Sequence, residues 1–265
     1  EIKYAKTNTN LIKGKDKYIL FDTDWAGTFP LFCKSLKKLG IKVQDIGYLF
    51  ISHFHPDHMG IAQEIADSGV QIVVMDIQQN FIHNADQIFE KEKRSKFIPI
   101  DDSKIRIVSI SESRTFLSEI GINGEIFLTP GHSDDSISLY LDDGFLLVGD
   151  LNPLYELEAH KGTQIADSWD ILLNLKPKVV YYGHAKAAVR DKSAPKISLE
   201  KVSDKEIFSL VKKIMKCIDK GYSVDIIQKK TGADIEFIQD VARMYLTHQN
   251  VSVQGILDRI EIKNK

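Results

Sequence analysis

Ser52-His53-Phe54-His55-Pro56-Asp57-His58 is the stretch from which the rest of this chain is read. The β-type run Ile46-Gly47-Tyr48-Leu49-Phe50-Ile51 leads into it, and Gly60-Ile61-Ala62-Gln63-Glu64-Ile65-Ala66 leaves it as a helix. Three imidazoles and a carboxylate this close would each need a hydrogen-bond partner in a core, and protonated imidazoles would repel one another. A divalent cation removes both difficulties, because neutral imidazole and ionised carboxylate are its preferred ligands. In an extended segment His53 and His55 project to the same side and can grip one ion. After the turn at Pro56, Asp57 and His58 face a second position, so the spacing predicts two ions. A lone histidine would more simply be an incidental polar residue, but a cluster directly after a buried strand is harder to explain that way. A loop this short cannot complete two coordination shells. Further ligands must therefore arrive from distant strand ends.

Working outward, three such residues follow predicted strands, each after a glycine. The strand Gly124–Thr129 runs into Thr129-Pro130-Gly131-His132. A hairpin, Ser138–Leu141 and Phe145–Val148 about Asp142-Asp143-Gly144, ends in Gly149-Asp150. The buried-type strand Lys178–Tyr182 ends in Gly183-His184. Glycine lets the backbone turn sharply and approach a cation closely. His132, Asp150 and His184 are thus read as the missing ligands.

Upstream, Asn10 to Asp22 reads as a hairpin about Gly-Lys-Asp-Lys. Phe29 to Leu39 carries an apolar helical stripe at Leu31, Phe32, Leu36 and Leu39 that stops at Gly40. Val70–Met75 is a strand, Asp76–Lys96 a helix with a charged end, Lys104–Ile110 a strand and Ser111–Ile120 a short helix. The alternation of strand and helix predicts an α/β fold.

These residues resemble the metallo-β-lactamase superfamily. His53-x-His55-x-Asp57-His58, then His132, Asp150 and His184, stand in that family's order and contexts, and Asp22 is similar to the aspartate that closes its early hairpin. The resemblance covers roughly residues 8 to 185. It implies an αββα sandwich with the metal site along one edge. It also implies that His53, His55 and His132 bind one ion, that Asp57, His58 and His184 bind a second, and that Asp150 bridges them. Zinc is the favoured metal, with iron or manganese in some members. Water held between two such ions loses its proton readily, since one zinc alone brings the pKa to about 7. The resulting hydroxide attacks an electron-poor carbonyl carbon or phosphorus. Asp57 would relay a proton as well as ligate, and Asp22 would orient a ligand. Tyr155, His160 and Tyr182, near these ligands in sequence, are candidates for substrate contact. His83 and His248 are read as incidental.

The ligands alone do not choose the substrate. Ser133-Asp134-Asp135-Ser136 replaces the common Thr-x-Gly-Ser after His132, and Leu151-Asn152-Pro153-Leu154-Tyr155 replaces the basic-aromatic cluster of glutathione thioester hydrolases. We expect a small ester, thioester or lactone as substrate. The alternative is a phosphodiesterase or nuclease, although neither a clamping domain nor a basic arm is evident.

Size and composition agree. The 265 residues divide into an expected catalytic domain over 1–197 and a helical module over 198–265. A hydrophobic content of 43%, with 27% charged residues, suits a globular enzyme, and a net charge of −2 exerts no pull towards nucleic acid or anionic membrane. No apolar run reaches membrane-spanning length. Glu1-Ile2-Lys3-Tyr4 lacks the layout of a signal peptide, and Cys33 and Cys217 are expected as free thiols, so the expected location is cytoplasmic. In the tail, helices over Asp204–Lys220, Ser223–Thr231 and Asp234–Thr247 are punctuated by Gly221 and Gly232, with a short strand expected within Val251–Ile262. The last two helices look like a helix-turn-helix. From Glu200 onward, however, 12 Lys/Arg face 10 Asp/Glu, which argues against a nucleic-acid reader. We expect a winged-helix-like module that lids the site or forms a homodimer contact, with Ile238, Val241, Tyr245 and Leu246 on its apolar face.

Overall fold

Along the strands around the His53 motif, successive side chains enter two different cores. Leu20, Leu49, Ile72 and Val74 are buried in one cluster, while Ile19, Phe21, Phe50, Val73 and Met75 are buried in another. A sheet with both faces covered demands this continuous apolar pattern. The structure is a computed structural model describing residues 1–92, 95–190, 204–233 and 235–247.

The first sheet is six-stranded and ordered as in the sequence: β1 (Ile2–Lys3), β2 (Asn8–Lys13), β3 (Tyr18–Phe21), β4 (Ile46–Phe50), β5 (Gln71–Met75) and β6 (Ile105–Val108). β1, β2 and β3 pair antiparallel, and β3 through β6 pair parallel. The second sheet holds β7 (Gly124–Leu128), β8 (Ile137–Leu141), β9 (Phe145–Leu147), β10 (Val179–Tyr181) and β11 (Ala188–Val189), in the order β11-β10-β9-β8-β7. Ile126, Ile137, Leu139 and Leu147 from this sheet join Phe21, Phe50 and Val73 in one cluster, so the two sheets pack face to face. On the outer face of the first sheet lie α1 (Phe29–Lys38) and, after the short α2 (Pro56–Met59), α3 (Ala62–Asp67). Next in the chain come α4 (Asp86–Lys91), α5 (Ser113–Glu119) and α6 (Gln164–Asn174). Tyr140 on β8 donates its hydroxyl to the Leu175 carbonyl at the end of α6. This is the αββα sandwich.

Strand direction places the site. β3 and β4 are parallel, so Asp22 and the His53 motif leave the first sheet at one end. β7 is antiparallel to β8 and β8 to β9, while β9 is parallel to β10, so His132, Asp150 and His184 all follow strands that exit at one end of the second sheet. Ile137 N–H donates to the Ser52 carbonyl at 2.8 Å and ties those two ends together.

Four local expectations change. Asp76–Lys96 is not one helix: Asp76–Phe81 is a 3₁₀ helix, turns follow, and among the described residues of this stretch only Asp86–Lys91 is α-helical. Asp76 Oδ1 accepts from Ile77 and Ile110 N–H, and Gln78 Nε2 donates to the Ile51 and Asp135 carbonyls, so both side chains tie the start of this segment to neighbouring loops. The helix expected from Gly60 begins at Ala62 and is preceded by the short α2, and at Gly60 between them a Cβ would meet the backbone at Pro56 and Trp25 at 2.7 Å. The helix expected from Ser111 begins with a 3₁₀ turn over Ile110–Glu112. In α1, Phe32 and Leu36 are buried but Leu31 and Leu39 are exposed, so the apolar stripe is narrower than the sequence suggests.

The chain divides into two compact units, residues 1–153 with 161–191, and residues 154–160 with 192–265. The second contains α7 (Asp204–Asp219), α8 (Val224–Thr231) and α9 (Ile235–Thr247), built on Val211, Ile214, Ile227, Ile238 and Val241. Gly232, with φ 71°, caps α8 by donating its N–H to the Gln228 carbonyl at 2.8 Å. Tyr245 is half-buried. The Leu246 side chain, His248 and the strand expected within Val251–Ile262 lie outside the described residues. Among the described residues both cysteines are free, and no helix is long and apolar enough to cross a membrane.

Candidate metal centre

Five imidazoles converge where the loops meet, with neighbouring ring centroids 4.2 to 5.3 Å apart. The nitrogens fall into sets. His55 Nδ1 lies 3.0 Å from both His53 Nε2 and His132 Nε2. His184 Nε2 lies 3.1 Å from Asp57 Oδ2 and 3.4 Å from Asp150 Oδ2. Between them, Asp150 directs Oδ1 at His58 Nε2, 3.3 Å away, and Oδ2 towards His132 Nε2, 3.7 Å away. Donor atoms of His53, His55 and His132 can all lie within 4.8 Å of one another, as can those of His53, His58 and Asp150, and those of Asp57, His58 and His184. Tetrahedral ligands about 2.0–2.1 Å from one zinc stand about 3.3 Å apart, so these spacings suit coordination.

The chemistry fits as well. Buried His58 Nε2 and Asp150 Oδ1 face each other at 3.3 Å without hydrogen-bond geometry to any partner, and a buried pair left so poorly satisfied is costly unless a cation takes it. Among protein groups alone, burial and neighbouring imidazoles drive His53 well below the ordinary histidine value. Burial pushes His58 the same way, but the Asp22 and Asp150 carboxylates outweigh it and raise the group to about 10. Asp150 and Asp57 raise His184 to about 10. Burial would raise Asp150, yet His184 and His58 hold its carboxyl well below the usual range. His53 and His58 form a buried floor, while His55 and His184 are exposed and Asp57 and His132 partly so.

The glycines before the ligands serve different ends. Gly149 has φ 54°, and a Cβ there would lie 2.6 Å from Ser52 Cβ. At Gly183 the constraint is space: a Cβ would overlap Asp150 Oδ1 and come within 2.8 Å of His58 Cε1.

Asp22, at 1% exposure, accepts Ser52 N–H on Oδ1 at 2.6 Å and faces His58 Nδ1 with Oδ2 at 3.1 Å. That directs His58 Nε2 towards Asp150. Asp22 has φ 65°, a left-handed conformation that aspartate tolerates better than most residues.

Other groups at the site carried no sequence signal. Ser52 Oγ lies 2.9 Å from His53 Nδ1. Thr7 donates its hydroxyl to the Asp57 carbonyl at 2.7 Å. Asn8 donates from Nδ2 to the carbonyls of Tyr182 and Ala185 on either side of His184. Buried Asp24 accepts the N–H groups of Lys6, Thr7 and Trp25, which holds that segment in place. Only their aspartate, serine, threonine and asparagine chemistry hinted at such backbone contacts.

Of the substrate candidates, Tyr182 is 6% exposed, with its ring 6.4 Å from Trp169. Tyr155 and His160 lie in the 3₁₀ helix Leu154–His160 of the second unit, and the Tyr155 side chain is outside the described residues. His83 sits in a turn, not a helix, between Asp86 and Asp102 at 2.9 and 3.0 Å.

Comparison with known proteins bears on the family and the fold. A probable metallo-hydrolase of Methanocaldococcus jannaschii is 31% identical over 145 residues, covering 54% of this chain and 66% of that protein. A beta-lactamase-like protein 2 homolog of Drosophila melanogaster is 23% identical over 185 residues, covering 67% of this chain and 58% of the relative. The solved beta-lactamase from Chitinophaga pinensis superposes with a TM-score of 0.53 at 22% identity, covering 68% of this chain and 72% of that one, which is a likeness of fold. The family model for the metallo-beta-lactamase superfamily matches residues 5–184, a span holding the strands from β2 to β10 and every donor of the cluster, and the chain belongs to that superfamily.

Proposed function

We propose that this chain is a metal-dependent hydrolase that holds two divalent cations, with zinc favoured, and opens a small ester, thioester or lactone. The observation that carries this reading is the position of Asp150, whose two oxygens point towards His58 on one side and towards His132 and His184 on the other. One set of donors, His53, His55 and His132, would hold one cation. A second, Asp57, His58 and His184, would hold the other, with Asp150 shared. The chemistry divalent cations supply there is acidification of water and stabilisation of charge developing on a substrate oxygen.

The protein groups do the rest. His53 and His58 are packed at the floor and keep the donor set rigid. Asp22 holds a proton on His58 Nδ1, so that Nε2 is the free donor. The Asp57 carboxyl is held below the ordinary aspartate value, first by its hydrogen bond to His184, which keeps it ionised as a ligand at neutral pH. Substrate approaches from the side of His55, His132 and His184, where the cluster meets solvent. The probable metallo-hydrolase relative supports hydrolysis as the reaction class.

The test combines metal analysis of purified protein with a panel of p-nitrophenyl acetate, an acyl-CoA, an acyl-glutathione, a lactone and bis-p-nitrophenyl phosphate, each with and without chelator. The expected result is two cations per chain and chelator-sensitive turnover of a carboxylic substrate. Turnover of the phosphodiester well above the others would replace this substrate class with phosphodiester cleavage.

A further inference from the structure

Two buried side chains outside the donor set meet the His53 motif at its backbone. Phe54, the residue between His53 and His55, donates its N–H to Asp135 Oδ2 at 2.7 Å. Asp135 is 3% exposed. It lies on the loop after His132, three residues beyond that histidine. Gln78 is fully buried on the 3₁₀ helix after β5. Its Nε2 donates to the Asp135 carbonyl at 2.9 Å and to the Ile51 carbonyl at 3.1 Å, and its Oε1 accepts Met75 N–H at 3.2 Å. A single amide thus joins the end of β4, the end of β5 and the His132 loop.

We propose that Asp135 and Gln78 are positioning residues that hold His53 and His55 in register with His132. This rests on the metal-centre reading above. Neither residue reaches a donor nitrogen; both act through peptide groups. The His53–Phe54 peptide carries one imidazole directly before the clamped N–H, and His55 follows immediately after. Extended backbone alternates its side chains, so a small rotation of the Phe54 peptide would swing both imidazoles away from His132. A carboxylate binds this N–H more strongly than a neutral acceptor would. His58 and His184 are held separately, by Asp22 and Asn8. The effect is therefore directed at the His53–His55–His132 cation.

The test is stepwise Co²⁺ titration of the full chain, followed by visible absorption and equilibrium dialysis, beside kcat and KM on whichever panel substrate is turned over. In Asp135→Ala we expect one cation held about as in the parent protein and the other at least 10-fold more weakly. The kcat at limiting metal should fall at least 10-fold with KM little changed, and excess metal should recover it. Asp135→Asn, which keeps an oxygen acceptor, should restore most of the affinity. If Asp135→Ala does not fold, Gln78→Met carries the same test, since it keeps the bulk and removes both donors. Two sites of unchanged affinity in the variant that folds would overturn the proposal. A protein that takes up no pair of cations even without substitution would instead sink the metal-centre reading itself.

Discussion

Asp150 faces both halves of the donor cluster, His58 with one oxygen and His132 and His184 with the other. Asp150→Ala is expected to lower bound metal and reduce kcat by orders of magnitude, read by metal analysis and steady-state kinetics; full activity with two bound cations would remove the sharing role. Asp22 works one step back. Asparagine tolerates its φ of 65° equally well, so Asp22→Asn isolates the carboxylate from the backbone. Activity should fall by about 10- to 100-fold while the melting temperature barely moves. Away from the site, His83 is raised above its ordinary 6.5 by its bond to Asp102 and then by Asp86. A raised folded value means stability that is fully present below the unfolded value and lost as pH rises through the folded one. The melting temperature lost in His83→Gln should therefore be largest in mild acid and vanish in alkali. The side chain is 47% exposed, so the effect should stay below about 1 kcal/mol.

Elements show how far local pattern reaches. The long apolar strands were legible, because alternation between two cores leaves no polar face along β3, β4 and β5. Residues 76–96 were not, because Asp76 and Gln78 spend their side chains on backbone groups of Ile110, Ile51 and Asp135 that only the folded chain brings near. In α1 the sequence showed four apolar positions and the fold buries two of them. Phe32→Ala should cost about 3–5 kcal/mol in urea unfolding, whereas Leu31→Ala should stay within about 0.5 kcal/mol. Equal costs would mean that α1 presents a different face to the sheet.

At the scale of the whole molecule, cations that bind only the folded site stabilise it by mass action. A cation at 100 times its Kd adds about 2.7 kcal/mol. Chelator should therefore lower the melting temperature by about 5–10 °C, and restored zinc should reverse the loss. An unchanged melting curve would mean that the loops stand without metal. The sequence by itself determined the donor residue types, the strands that precede them and the family pattern, because hydrophobic period and ligand chemistry are local properties of a chain. Only the tertiary structure decided which nitrogens face which oxygens, that Asp22 acts through His58, and that Gly183 is required by space. Those depend on strand direction and on contacts between residues up to 177 positions apart, as between Asn8 and Ala185, and no local pattern encodes them.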